Sequence, residues 1–259
     1  MSHEEPLRQT RRTGLRLAYF MLKTVNRAIR EYQMIADGDR VAVAVSGGKD
    51  SLGLLYLLDV RRRRFAHWCH TRERYELAAF HIQGDATGPT PGHPPLEAWL
   101  AQTGLPYVIE KADIPEGEEL PMTCQRCAHH RRRQLFEMAD RLGYNVIALG
   151  HHADDLAATA LLNLLQGGRC DGGMAPRADY FGGRFRLIRP LIYTSEKEMR
   201  QLARVLGLPP APPDCPRRHD SARAAAAGLL EAIAPRFPNA RANLSRLALR
   251  AYPPHATPK

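Results

Sequence analysis

Apolar residues recur at three- and four-residue intervals through residues 15–35 (Leu15, Tyr19, Leu22, Val25, Ile29, Tyr32), the spacing of one helix face. The pattern predicts an amphipathic helix, preceded by a flexible leader, MSHEEPLRQTRRTG, that lacks the apolar core of a signal peptide. Asp37-Gly38-Asp39 interrupts it, and residues 41–45 form an all-apolar run of the kind a strand buried on both faces requires. After the hexapeptide Ser46–Ser51, residues 52–60 return to a helical pattern. The alternation continues, with strands expected at 76–82, 107–110, 145–149 and 185–191 and helices at 96–102, 128–142, 153–166 and 195–206. The helix at 195–206 opens with Ser195 and, three residues on, Glu198, a capping box. Strands alternating with helices predict an α/β fold, a parallel sheet with helices on both faces, whose ligands sit at the carboxyl ends of the strands.

Three segments depart from this rhythm. Residues 84–95 are rich in Gly and Pro, residues 113–123 lead directly into Cys124, and the proline-rich stretch 209–216 carries Cys215. An alanine-rich helix at 221–233 and a shorter one at 243–251 close the chain. No run of about twenty apolar residues is present, so no membrane span is expected and the cytoplasm is the default compartment. The net charge of +10 is carried by clusters, Arg61–Arg64, Arg131–Arg133 and Arg217-Arg218, which suit a polyanionic partner as well as a solvated surface. Cysteine occurs at 69, 124, 127, 170 and 215, an odd count that argues for metal ligation or catalysis over a disulfide framework.

Ser46-Gly47-Gly48-Lys49-Asp50-Ser51 stands at a strand-to-helix junction. Glycines let backbone N–H groups approach an anion, Lys49 adds a positive charge, and Ser46 and Ser51 bring hydroxyls. A Walker loop is excluded, because Val43 stands where its first glycine belongs and Asp50 follows the lysine. The hexapeptide matches SGGxDS and so resembles the PP-loop ATP-pyrophosphatases. That resemblance implies an adenine nucleotide alpha-hydrolase-like, Rossmann-like fold and cleavage of ATP between its α and β phosphates. It assigns ATP binding to Ser46, Gly47, Gly48, Lys49, Asp50 and Ser51, with Lys49 and Asp50 catalytic. A second segment, Gly150-His151-His152-Ala153-Asp154-Asp155, resembles the family's GHxxDD, which places Gly150, His151, Asp154 and Asp155 beside the nucleotide. The two aspartates are either caps at a helix start or ligands for Mg²⁺, Asp155 being the candidate metal ligand. Gly167-Gly168-Arg169 also matches a family position and is a candidate phosphate contact.

Cys124-Gln-Arg-Cys127, taken alone, fits zinc, redox chemistry or chance. Zinc with Cys215 would need a fourth ligand such as His129, His130 or His219, whereas a cubane cluster on three thiolates keeps one iron open. The ordered segments IPEGEELPMTCQRCAHHRRRQLF, ALGHHADDLAATALLNLLQGG, RLIRPL, PPDC and AIAPRFPNARANLSRLA resemble the tRNA 2-thiocytidine synthetase family from the first helix to the C-terminus. The resemblance implies a [4Fe–4S] cluster on Cys124, Cys127 and Cys215 and ATP-dependent adenylation at C2 of cytidine 32 in tRNA, followed by replacement of oxygen by sulfur. It further implies a cysteine desulfurase or other sulfur donor, an electron donor and a homodimer. The corresponding division is leader and helix (1–36), PP-loop domain with CxxC insertion (37–208), then third-cysteine loop and C-terminal helices (209–259). Two departures stand out. The second strand ends His81-Ile82-Gln83-Gly84-Asp85 where the family has an earlier acid, and His67-Trp68-Cys69-His70 is a local elaboration. Cys69 and Cys170 receive no role. The alternative readings are thiolation of a tRNA uridine or a small molecule, lysidine-type amidation, and a non-enzymatic iron–sulfur or zinc RNA-binding protein.

Overall fold

The computed structural model describes residues 4–64, 73–169, 173–217 and 221–254; Cys69 with His67, Trp68 and His70, Cys170, Arg218 and His219 lie outside them. The described elements run α1 (Glu4–Glu31), β1 (Arg40–Ala44), α2 (Lys49–Arg64), β2 (Glu76–Gln83), α3 (Pro94–Thr103), β3 (Tyr107–Lys111) and α4 (Cys124–Leu142). They continue with β4 (Val146–Leu149), α5 (Ala153–Gly167), β5 (Arg177–Tyr180), β6 (Phe185–Ile188), α6 (Glu196–Leu206), α7 (Ala222–Ile233) and α8 (Ala240–Arg250).

The six strands lie in the order β3-β2-β1-β4-β6-β5. All neighbours are parallel except β5 and β6, which form an antiparallel pair at one edge. The chain builds outward from β1 through β2 to β3, then returns to place β4 on the other side of β1. That reversal opens a crevice between the carboxyl ends of β1 and β4, where a doubly wound sheet binds its ligand.

Alternation along the strands sorts the core into two layers. Val41, Val43, Leu77, Ala79, Val146 and Ala148 face a cluster with α1, α2, α3 and α6. Ala42, Ala78, Phe80, Ile82 and Ile147 face the other side, where Phe136, Met138 and Ala139 of α4 cover them. Both faces are thus buried, which is why the strands read as apolar runs. A smaller cluster joins Ala157 and Ala158 of α5 to Leu230 of α7, with Leu244 of α8 packed against it.

Several elements differ from the sequence-based expectation. The flexible leader is helical from Glu4: its one proline, Pro6, falls in the first turn, where a missing N–H costs no helical bond, and Gly14 packs closely on Leu206. The antiparallel edge strand β5 was not expected, and the strand at 185–191 ends at Ile188. The Arg61–Arg64 run is the last turn of α2. Arg61 is buried, donating to Asn26 Oδ1 at 2.8 Å and Glu73 Oε2 at 2.9 Å. Arg62 and Arg63 pair with Asp59. None of those three is a free cation for a polyanion. The capping box at Ser195 forms as expected, its hydroxyl accepting the Glu198 N–H. No described helix is long and apolar enough to cross a membrane.

Candidate active site

β1 delivers the chain to Ser46, and α2 starts at Lys49, so the hexapeptide spans the loop and the first helical turn. The Ser46 N–H and hydroxyl both lie against Ser51 Oγ, at 3.1 and 3.2 Å, and Ser51 Oγ donates to the Gly48 carbonyl at 3.0 Å. These bonds close the loop around its own backbone and leave the helix start as an anion site. β4 then brings Gly150 against this turn. A Cβ on Gly150 would lie 2.8 Å from Ser51 N and 2.9 Å from Ser51 Cα, so no larger residue lets the two strand ends approach.

Between them lies a cleft of about 440 Å³. Its floor is apolar (Phe80, Ile82, Ile147, Leu187), and Ser46, Gly48, Asp50, Ser51, Gly150, His151 and Asp155 line the nucleotide side. Ala128, Arg131 and Arg132 of α4 and Arg223 of α7 form the opposite wall. Arg131 is half-buried and donates to the carbonyls of Gly84 and Ile82 at the end of β2. Arg133 turns away to Asp113 and Glu137. The arginine block is therefore split, and only Arg132 is exposed.

His151 is held by its partner. Arg189, only 6% exposed, donates from Nε to His151 Nδ1 at 3.3 Å and from Nη1 to the Ala175 carbonyl. Burial and the Arg189 charge push the His151 pKa down to about 3, so the imidazole is neutral and carries its proton on Nε2. Burial likewise lowers Arg189 to about 10, leaving it charged. His152 is buried, with Nε2 3.8 Å from Asp50 and Nδ1 3.4 Å from Asp155. One oxygen of Asp50, Oδ1, is buried without a hydrogen-bond partner. An orphaned carboxylate oxygen in a cleft that Asp155 also lines fits a hard cation such as Mg²⁺.

The cysteines gather beside the α4 wall of this cleft: Cys127 immediately precedes the lining residue Ala128 and lies near Arg131, Cys215 and Cys124. Thr123 caps α4, accepting the Arg126 N–H, and so sets Cys124 and Cys127 in the first helical turn. Cys124 Sγ lies 3.9 Å from the carbonyl of Arg217, two residues past Cys215. Burial pushes the Cys127 thiol up, against the pull of Arg131, and Cys215 and Cys124 add to the rise because they are close enough to repel a thiolate. Among the described residues, no three His, Cys, Asp or Glu side chains converge to hold a single metal ion. Three neighbouring thiolates are the donor set for a cluster in which each holds a different iron and one iron stays open. His130 Nε2 is engaged by Glu118 at 2.9 Å.

A family model for the PP-loop domain matches residues 21–209. The tRNA-cytidine(32) 2-sulfurtransferase of Syntrophotalea carbinolica is 36% identical over 86% of this chain and 85% of its own length. That of a Janthinobacterium species is 34% identical over 92% of this chain and 74% of its own. The chain belongs to the tRNA-cytidine(32) 2-sulfurtransferase family of PP-loop proteins. In fold it is similar to the U34-tRNA thiolase NcsA from Methanococcus maripaludis, solved with its [4Fe–4S] cluster. There the TM-score is 0.64 and the identity 22%, covering 88% of this chain and 78% of that one.

Within this family member the expected site residues fall into two groups. Ser46, Gly48, Asp50, Ser51, Gly150, His151 and Asp155 share the cleft, and the three cysteines group together next to its α4 wall. The others stand elsewhere. Lys49 pairs with Asp50 at 3.0 Å and Glu196 at 3.5 Å, away from the cleft lining. Asp154 accepts the Glu196 N–H at 2.7 Å and Arg241 at 3.1 Å, which ties α5 to α6 and α8. Gly47 lies under Pro212. Gly167-Gly168-Arg169 is outside the cleft lining; Gly168 is the left-handed cap of α5, at the helix end away from β4. Asp85 closes its own turn on Thr87. Sequence reasoning missed His152, Arg189 and Arg223. The RLIRPL segment contained Arg189 but gave no reason to single it out.

Proposed function

We propose that this chain is an ATP-dependent tRNA sulfurtransferase that activates C2 of cytidine 32 by adenylation and replaces its oxygen with sulfur. The reading rests on one juxtaposition: α4, which carries Cys124 and Cys127 in its first turn, also supplies Ala128, Arg131 and Arg132 to the cleft wall facing the phosphate loop, so a base held in the cleft lies between that loop and the helix that carries two of the thiols. The names of the relatives support the substrate.

The reaction divides between the two walls. The C2 oxygen of the base attacks the ATP α-phosphorus, the bond to the β-bridging oxygen breaks, and pyrophosphate leaves. N–H groups at the start of α2 hold the phosphates, and the neutral His151, its tautomer fixed by Arg189, donates from Nε2 to an oxygen of the α-phosphate. Asp50 and Asp155 would hold Mg²⁺, which supplies positive charge against the phosphates when bound. A sulfur nucleophile then attacks C2, and AMP departs with the original oxygen. Cys124, Cys127 and Cys215 would hold the [4Fe–4S] cluster, whose open iron supplies that sulfur when it is bound. A cysteine desulfurase or another sulfur donor, and a source of electrons, complete the requirement.

Arg132 of α4 and Arg223 of α7 line the cleft wall facing the nucleotide side, with no ion pair or hydrogen bond among the described residues. Both lie near enough to bear on Arg189. Exposed on the cleft lining, they suit the phosphates flanking the target base. Nucleotide chemistry is tested by incubating the protein with ATP with and without tRNA. AMP and pyrophosphate should form in equal amounts and rise with tRNA, whereas ADP and inorganic phosphate would refute the PP-loop reading.

A further inference from the structure

The segment 209–217 joins α6 to α7 and carries Cys215, but its contacts reach the phosphate loop. Gly47 has φ +85°, and a Cβ there would meet Pro212 Cδ at 2.5 Å, Pro212 Cγ at 2.6 Å and Leu96 Cδ2 at 3.4 Å. Pro212 therefore rests directly on the loop's first glycine, and neither residue lines the cleft. Two residues earlier, the Pro210 carbonyl lies 2.9 Å from His93 Nε2. His93 is the N-cap residue of α3 and makes no capping bond with its side chain, so its ring is free to anchor this segment. At the far end, Arg217 donates to the Pro121 carbonyl at 3.3 Å, and its own carbonyl meets Cys124 Sγ. The loop that binds phosphate and the third thiol are thus joined through Gly47, Pro212 and three further residues of proline-stiffened chain.

We propose that His93 and Pro212 are positioning residues, seating residues 209–217 as a strap across the phosphate loop so that nucleotide in the loop sets where the Cys215 thiol stands. This rests on the nucleotide site proposed above. Proline restricts φ, so a displacement at Pro212 passes to Cys215 instead of being absorbed by backbone rotation. Gly47, with no side chain, lets the strap lie close enough to respond when phosphate oxygens draw the loop N–H groups inward. Adenylation and sulfur delivery would then be ordered: the third thiolate takes its working place once nucleotide is present.

The test uses reduced, cluster-free full-length protein and α,β-methylene-ATP. The rate of Cys215 alkylation by iodoacetamide is read from its peptide by mass spectrometry, and calorimetry gives the affinity of the analogue for each variant. In the wild type, saturating analogue should change the Cys215 rate by about fivefold, the factor a single such hydrogen bond commands. His93→Ala and Pro212→Gly should bind the analogue within a few-fold of wild type yet lose that response, and His93→Gln, which restores a donor to the Pro210 carbonyl, should regain it. An unchanged Cys215 rate in the wild type, or a full response in His93→Ala, would overturn the strap while leaving the nucleotide site standing. No heat of binding for the wild type would overturn the nucleotide site itself, and the strap with it.

Discussion

Gly150→Ala should damage the nucleotide site through backbone contact alone. The new methyl would lie 2.8 Å from Ser51 N, 2.9 Å from Ser51 Cα and 3.0 Å from the Asp50 carbonyl carbon. All three are main-chain atoms of the first turn of α2, so relief requires moving the helix start or bending the end of β4. Overpacking of this kind costs about 1–3 kcal/mol. At roughly 2–4 °C per kcal/mol for a chain of this size, the melting temperature should fall by roughly 2–12 °C. Relief comes from shifting Ser51, whose hydroxyl receives the Ser46 N–H at 3.1 Å, so the loop loosens with it. Regaining the original geometry to bind phosphate recovers part of that strain, and ATP affinity should drop by about tenfold, near 1.4 kcal/mol. Gly228→Ala is the comparison: a Cβ there meets nothing within 4 Å, and alanine inside a helix should stabilise by about 0.5–1 kcal/mol. Differential scanning calorimetry and isothermal titration with ATP measure both effects. Wild-type stability and affinity in Gly150→Ala would refute the close-approach argument.

The paired change Arg132→Ala with Arg223→Ala should weaken tRNA binding and reduce the slope of log affinity against log salt by about 2, with ATP affinity unchanged; an unaltered slope returns both residues to the solvated surface. His151 titrates near 3 in the fold against an ordinary value of 6.5, so the unfolded chain takes up its proton first. Its contribution to stability is complete above about pH 6.5 and drains as pH falls toward 3, by at most about 1.4 kcal/mol per pH unit. His151→Gln should therefore flatten that part of the stability curve of metal-free, cluster-free protein, and superimposable curves would contradict a neutral imidazole held against Arg189. Alanine at Cys124, Cys127 or Cys215 should each remove most iron and labile sulfide from anaerobically purified protein, while Cys69→Ala and Cys170→Ala retain them; stoichiometric zinc in colourless wild type would refute the cluster.

Much of this was legible in the chain because the relevant patterns are local. The run Val41–Val45 followed by SGGKDS announces a strand, a glycine turn and a helix within eleven residues, and Ser195 with Glu198 announces a helix start. β5 was not legible: Arg177-Ala178-Asp179-Tyr180 is short and polar, and it is held in the sheet by its antiparallel pairing with β6 and by Arg177 reaching the Gln33 carbonyl and Asp179 reaching Arg186. The arginine runs misled for the same reason. Arg61 is core because Asn26 and Glu73, far off in sequence, are there to receive it, and Arg133 is tied to Asp113. Asp154 and Asp155 look alike in sequence, yet one is committed to α6 and α8 while the other faces the cleft. Long-range partners also explain why Arg189, His152, His93 and Pro212 gave no signal: each matters only through a residue that the sheet reversal or the strap brings beside it.

The most direct test of sulfur insertion is the product itself. Anaerobically reconstituted protein is incubated with an unmodified tRNA transcript, ATP, Mg²⁺ and sulfide, and the tRNA is digested and mapped by mass spectrometry. The expected result is 2-thiocytidine at position 32, formed only with ATP and accompanied by one AMP and one pyrophosphate per sulfur inserted. Unmodified cytidine despite a full iron and sulfide content, or sulfur appearing without ATP consumption, would contradict it.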